Sequence, residues 1–241
     1  MDEKKIEQIL EDARTAEARL TRRVGASDSE IPECRSGADG SQSWWHNGKR
    51  HRIDGPALVR ADGSEEWFFH GKRHRVGAPA ITRADGYQAW YFEGALHRED
   101  GPAILSADGG TEWWAHGRLH RLGGPAIITA FGREEWHQLG KLHREDGPAV
   151  ICPAHGAFWF LRGDAHRTDG PAVMQPNGYE AWHRHGVRHR EGGPAVIDPS
   201  GHQEWWVNGV LHREDGPAVI TAGGAALWYR LGRLFPPPST A

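Results

Sequence analysis

The chain has 241 residues, a formal charge of −3 and a pI near 6.6, so no global field draws it toward nucleic acid or an anionic membrane. Two cysteines, Cys34 and Cys152, are too few for a disulfide framework and fit a reducing compartment. No run approaches the roughly 18–20 apolar residues of a membrane span, and the charged first 20 residues lack the apolar core of a signal peptide; the expected location is cytoplasmic.

Residues 1–24 come first. Ile6, Ile9, Ala13, Ala16 and Leu20 follow a 3-4-3-4 spacing, which predicts a helix with one apolar stripe. Such a helix caps the first hairpin, lies on the sheet, or pairs with another chain and makes an oligomer. Residues 25–37, rich in Gly, Ser and acids, read as a linker.

From residue 38 to residue 235 the chain is periodic. His51, His74, His97, His120, His143, His166, His189 and His212 are each 23 residues apart, and each is followed by Arg. A Trp stands seven residues before each His, from Trp44 to Trp205, and once more at Trp228. Pro lies five residues after each His and is followed by Ala. Columns that keep phase over eight units mark a repeat array whose units contact their neighbours. Within residues 62–84, "DGSEEWFFHGKRHRVGAPAITRA", Asp-Gly signals a hairpin turn, the aromatic run suits a strand that Gly71 ends, and Pro opens a second strand. The fold expected is all-β, an elongated single-sheet meander of about eight 23-residue β-hairpins with a short N-terminal α-helix. Residues 236–241 form a Pro-rich tail that stops the array.

Three units repeat "HREDGPA" in full, which raises the question of an active site. The fourth letter is Asp54, Asp100, Asp146, Asp169 and Asp215 in five units but Gly77, Gly123 and Gly192 in the others. Asp and Gly share turn chemistry rather than acid–base chemistry, so the stretch reads as a turn. No Ser or Cys recurs in phase as a nucleophile, and equivalent histidines lie about 9–10 Å apart, too far to share a zinc ion. His183, His185 and His189 form the one local cluster. No catalytic residue, metal or cofactor is expected.

The Arg column forms a cationic row that pairs with Glu66, Glu112, Glu135 and Glu204, stacks on a Trp, or binds phosphate or an acidic protein. The residue after each Trp carries a ring: Trp45, Phe68, Tyr91, Trp114, His137, Phe160, His183, Trp206 and Tyr229. Adjacent strand residues face opposite ways, so one aromatic column forms the packing spine and the other is left as an apolar strip about 75–80 Å long. The alternative is a sheet that curls and buries both columns. Trp45, Phe68, Tyr91, Trp114, Phe160, Trp206 and Tyr229, with Arg98, Arg121 and Arg144, are the candidate partner-binding residues, since aromatics with Arg at their margin make interface hot spots.

The unit resembles the MORN repeat, a β-hairpin of the same length that stacks into elongated sheets. The match lies in Glu66–Trp67, Gly71, His74 and the Asp85-Gly86 turn, with their equivalents over roughly 40–235. It departs where that family carries His-Gly-x-Gly, and the family's Tyr-x-Gly start is absent. The HRxDGPA form is similar to bacterial and phage repeat proteins. The resemblance implies a scaffold or adaptor for protein contacts. It also brings phospholipid binding and, from some bacterial relatives, an immunity- or antitoxin-like role. A non-enzymatic module that binds an extended protein along the aromatic strip is the function expected. Neutralisation of a toxin is one alternative; binding of phosphorylated ligands or lipid headgroups through the Arg row is another.

Overall fold

The computed structural model describes residues 31–237, so the helix expected over 1–24 lies outside the described residues. The chain divides into two compact units, one ending at Arg121 and the other beginning at Leu122. Both are built on one plan, and among the described residues every regular element is a β-strand.

The plan is clear at residues 58–82. Arg60 and Ser64 close a three-residue turn in which the Arg60 N–H donates to the Ser64 carbonyl at 2.8 Å. Gly63 takes the left-handed position (φ 83°), and the Ser64 N–H is held by the Asp62 carboxylate at 2.8 Å. Asp supplies the side-chain bond and Gly the backbone freedom. Glu65–Glu66 then lies between Leu58–Val59 and Ile81–Thr82, antiparallel to both. The first unit continues the ladder through Gln88–Ala89, Ile104–Leu105 and Thr111–Glu112. The second runs in the same way from Ile127–Ile128 to Ala226–Arg230. The meander of repeated hairpins expected from the periodicity is what forms.

The second half of each repeat differs from expectation. Phe68–Phe69 folds back on Lys72–Arg73 around His70 (φ 47°) and Gly71 (φ 84°), a two-residue turn with both central residues left-handed. Each repeat therefore holds two hairpins, not one. Asn-Gly announces this turn only at Asn47-Gly48 and Asn208-Gly209; elsewhere His, Glu, Leu or Arg occupies the strained first position. Successive small hairpins are tied by backbone bonds: Gly71 N–H to the Arg50 carbonyl at 2.8 Å, and Arg52 N–H to the Phe68 carbonyl at 3.1 Å.

The end of the expected linker is also a strand. Glu33–Ser36 pairs with Gln42–His46 and gives the first repeat a neighbour. Packing centres on small residues: the Ala after each Pro, from Ala57 to Ala218, is completely buried. Within each unit such an Ala carbonyl receives a Trp backbone N–H, as Ala103 does from Trp90 and Ala172 from Trp159, both at 2.8 Å.

Candidate functional site

The HRxDGPA loop proves to be a clamp on tryptophan. In all eight repeats the guanidinium lies over the Trp eight residues upstream, with centroid distances of 3.7–4.2 Å. Where the loop carries Asp, the Arg Nε donates to it, as from Arg98 to Asp100 at 2.8 Å and from Arg144 to Asp146 at 2.8 Å. The Arg98 Nη1 also reaches the Pro102 carbonyl at 3.3 Å. Where Gly replaces Asp, its backbone turns left-handed (Gly77 φ 69°, Gly123 φ 74°, Gly192 φ 76°). The Asp residues do not adopt that conformation, so the two residue types reach the same turn by different means. The next Gly lies against the other side of the guanidinium: a Cβ on Gly101 would meet Arg98 Cζ at 3.0 Å. Arg98, Arg121 and Arg144 thus lie on Trp90, Trp113 and Trp136, and the four glutamates expected as their partners find others.

The histidine column serves the next small hairpin. Its Nδ1 accepts the N–H of the strained turn residue 19 positions on: His51 from His70 at 3.0 Å, His74 from Glu93 at 3.2 Å, His143 from Arg162 at 3.1 Å. His166, His189 and His212 do the same. An accepting Nδ1 requires the neutral Nε2–H tautomer. Burial holds His74, His120, His143 and His166 below the usual imidazole value. His97 is pushed down to about 4, by burial first and by His116 second. The three histidines of the seventh repeat are not brought together: His189 bonds Asn208, His185 packs on His166 at 4.5 Å, and His183 stands opposite Arg188. Among the described residues no group of three or more His, Cys, Asp or Glu could hold a metal ion.

The residue after each Trp belongs to the opposite face, so the candidate rings and Arg98, Arg121 and Arg144 occupy different sides of the sheet. In the first unit Trp45, Phe68, Tyr91 and Trp114 stand opposite Arg50, Arg73, Leu96 and Leu119 across the small hairpins. Arg50 lies 5.4 Å from the Trp45 ring and 5.5 Å from Phe68, and Arg73 lies 5.6 Å from both Phe68 and Tyr91. Ring and cation therefore alternate from Trp45 to Tyr91, beyond which Leu96 and Leu119 take the place of Arg. In the second unit Phe160, Trp206 and Tyr229 face Ala165, Leu211 and Leu234, and Arg188 lies 5.2 Å from Trp206. Glutamates sit between the rings. Glu66 is buried, which opposes its ionisation, yet Arg60 at 2.6 Å and Arg73 at 3.0 Å hold its carboxyl below the usual range. Glu112 and Glu204 each accept the indole N–H two residues on, from Trp114 and Trp206 at 2.7 Å.

None of these rings is widely exposed: Phe68 is buried and the other six are half-buried, because same-face neighbours cover one another's sides. Sequence reasoning missed Arg50, Arg73 and Arg188. They occupy the column just before His, which is in phase but varies among Arg, Leu and Ala.

The fifth repeat departs locally at its turn, where His155 stands in the Gly column. Cys152 Sγ lies 3.2 Å from His155 Nδ1, and that bond lowers the thiol's pKa. Gly156 follows at φ 104°. Among the described residues no helix is long and apolar enough to cross a membrane. Compared with known proteins, the chain matches no family model and no curated protein.

Proposed function

We propose that the chain is a MORN-like, non-enzymatic interaction module of the cytoplasm that binds an extended protein through the aromatic row of each unit, Trp45, Phe68, Tyr91 and Trp114 in the first and Phe160, Trp206 and Tyr229 in the second. The observation that carries this reading is the placing of Arg50 and Arg73 between the rings of the first unit and of Arg188 beside Trp206 in the second. Aromatics and Arg held rigid in a paired sheet are the residues from which interface hot spots are built. The backbone beneath is already paired, so a partner would be read through side chains.

The alternative through Arg98, Arg121 and Arg144 has weaker support. Arg98 and Arg144 already donate Nε to an Asp and Nη1 to a Pro carbonyl, which leaves fewer donors for a phosphate or lipid headgroup. A toxin bound on the aromatic face would be a special case of the main reading, recognised by rescue of growth on co-expression. The test is affinity capture with the full chain, its Tyr91→Ala/Trp114→Ala variant, and Lys72→Ala at an exposed strand position as control. The double variant is expected to lose the captured protein while remaining folded by circular dichroism, and the control to keep it. Capture unchanged by the double variant overturns the reading.

A further inference from the structure

We infer that the edge strand Glu33–Ser36 pairs with the same strand of a second copy of the chain, antiparallel and centred on Cys34. This does not rest on the aromatic face. All four residues are exposed, and among the described residues the strand's partner is Gln42–His46, on its inner edge.

The register fixes which backbone groups point outward. Gly37 donates to the Ser41 carbonyl at 2.8 Å, which makes 37/41 a hydrogen-bonded pair. By alternation, Arg35 and Glu33 also bond inward. Trp44, opposite Cys34, turns its N–H away to Ala57 at 2.9 Å. The N–H and C=O of Cys34 and Ser36 therefore face out.

An open edge is ordinarily guarded by charge, but here the charges are self-complementary. Pairing centred on Cys34 sets Glu33 against Arg35 of the second copy, twice. A slip of two residues either way sets Glu33 against Glu33 or Arg35 against Arg35, which like-charge repulsion disfavours. The Glu33 and Arg35 side chains are 65% and 54% exposed, free to change partners from their own 3.0 Å ion pair. Cys34 would exchange two backbone bonds with its counterpart, and each Ser36 N–H would reach the Pro32 carbonyl of the other copy. So few bonds make a weak, reversible dimer. The two Cys34 Cα atoms would lie about 5.5 Å apart, within the roughly 4.4–6.8 Å that a disulfide spans, while their Cβ atoms, up to about 5.5 Å apart, must close by about 1 Å, which a pair held by so few bonds allows.

Sedimentation equilibrium of the full chain under reducing conditions tests this. The wild type is expected to dimerise reversibly. Arg35→Glu, which sets Glu against Glu at both positions, should weaken the dimer about tenfold. Glu33→Arg with Arg35→Glu should restore it. Glutathione disulfide supplies a second readout: it takes two electrons from two Cys34 thiols, leaving one Cys34–Cys34 disulfide and two molecules of reduced glutathione. That cross-link should vanish in Cys34→Ser and fall in Arg35→Glu. A wild type that stays monomeric without a Cys34 cross-link overturns the inference. So does a dimer indifferent to Arg35→Glu, or one cross-linked through Cys152. Circular dichroism of the variants confirms that each is folded.

Discussion

The guanidinium of Arg98 lies 4.1 Å from the ring centroid of Trp90, with the backbone of Gly101 against its other side. The recurring HRxDGPA string exists to hold this sandwich. Trp supplies the ring, Asp100 and the Pro102 carbonyl fix the guanidinium's plane, and Gly leaves room for it.

Arg98→Lys is expected to destabilise the protein by about 1–2 kcal/mol, nearly as much as Arg98→Ala. A lysine cannot lie flat on the ring while bonding both partners. Asp100→Ala should cost less, because that carboxylate is 83% exposed and its pair is screened. Urea unfolding of the three variants gives the order; a Lys variant as stable as wild type would refute the stacking role.

Gly101→Ala places a Cβ at 3.0 Å from Arg98 Cζ. The guanidinium must lift from Trp90, and a loss of about 1 kcal/mol is expected. In Arg98→Ala the same substitution should be nearly neutral, so a double-mutant cycle reads the coupling directly.

The turn at Glu93-Gly94 holds a non-glycine residue at φ 47°. Asn tolerates that conformation better than Glu, and position 208 already carries Asn at φ 49°. Glu93→Asn should therefore raise stability by about 0.5–1 kcal/mol, and Asn208→Glu should lower it by a similar amount, both seen as shifts in the thermal midpoint.

The period, the Asp-Gly turns and the Pro-Ala strands were legible because each is written in local residues that recur in phase. The small hairpin was not: at Leu139-Gly140 and Arg162-Gly163 nothing local announces a left-handed first residue, and at Arg162 the neighbouring repeat holds the turn, His143 Nδ1 accepting its N–H at 3.1 Å. The Arg column could not be assigned from phase alone, since Trp keeps phase with it in every unit and Glu66, Glu112, Glu135 and Glu204 offer a carboxylate in four of them; only the packed structure selects the ring. The sequence also treats Asp54 and Gly77 as sharing positive φ, whereas only Gly77 uses it and Asp54 binds Arg52 at 2.9 Å instead. Exposure of the aromatic column was misjudged for a related reason. The side chains against Tyr91, Leu96 opposite it and Arg73 over its ring, come from one column whose identity varies.

Acid should unfold this protein earlier than its carboxylates alone would dictate. His97 accepts the His116 N–H at 3.3 Å and stacks on the His116 ring at 4.0 Å, so protonating its Nδ1 would turn an acceptor into a donor facing a donor. Its folded pKa is about 4, against about 6.5 in an unfolded chain. As pH falls below 6.5 the unfolded state takes up protons that the folded state refuses, so stability is complete above that value and is lost on the way down to about 4. Glu99 opposes the shift but does not reverse it. For His97 the loss is on the order of 1–3 kcal/mol, and His74, His120, His143 and His166, all shifted the same way by burial, add to it. Thermal midpoints at constant ionic strength should therefore be flat above neutrality and fall most steeply between pH 6.5 and 4. A midpoint that holds to pH 4 and drops only below it would assign the loss to carboxylates such as Glu66, whose pKa is lowered, and would refute the histidine account.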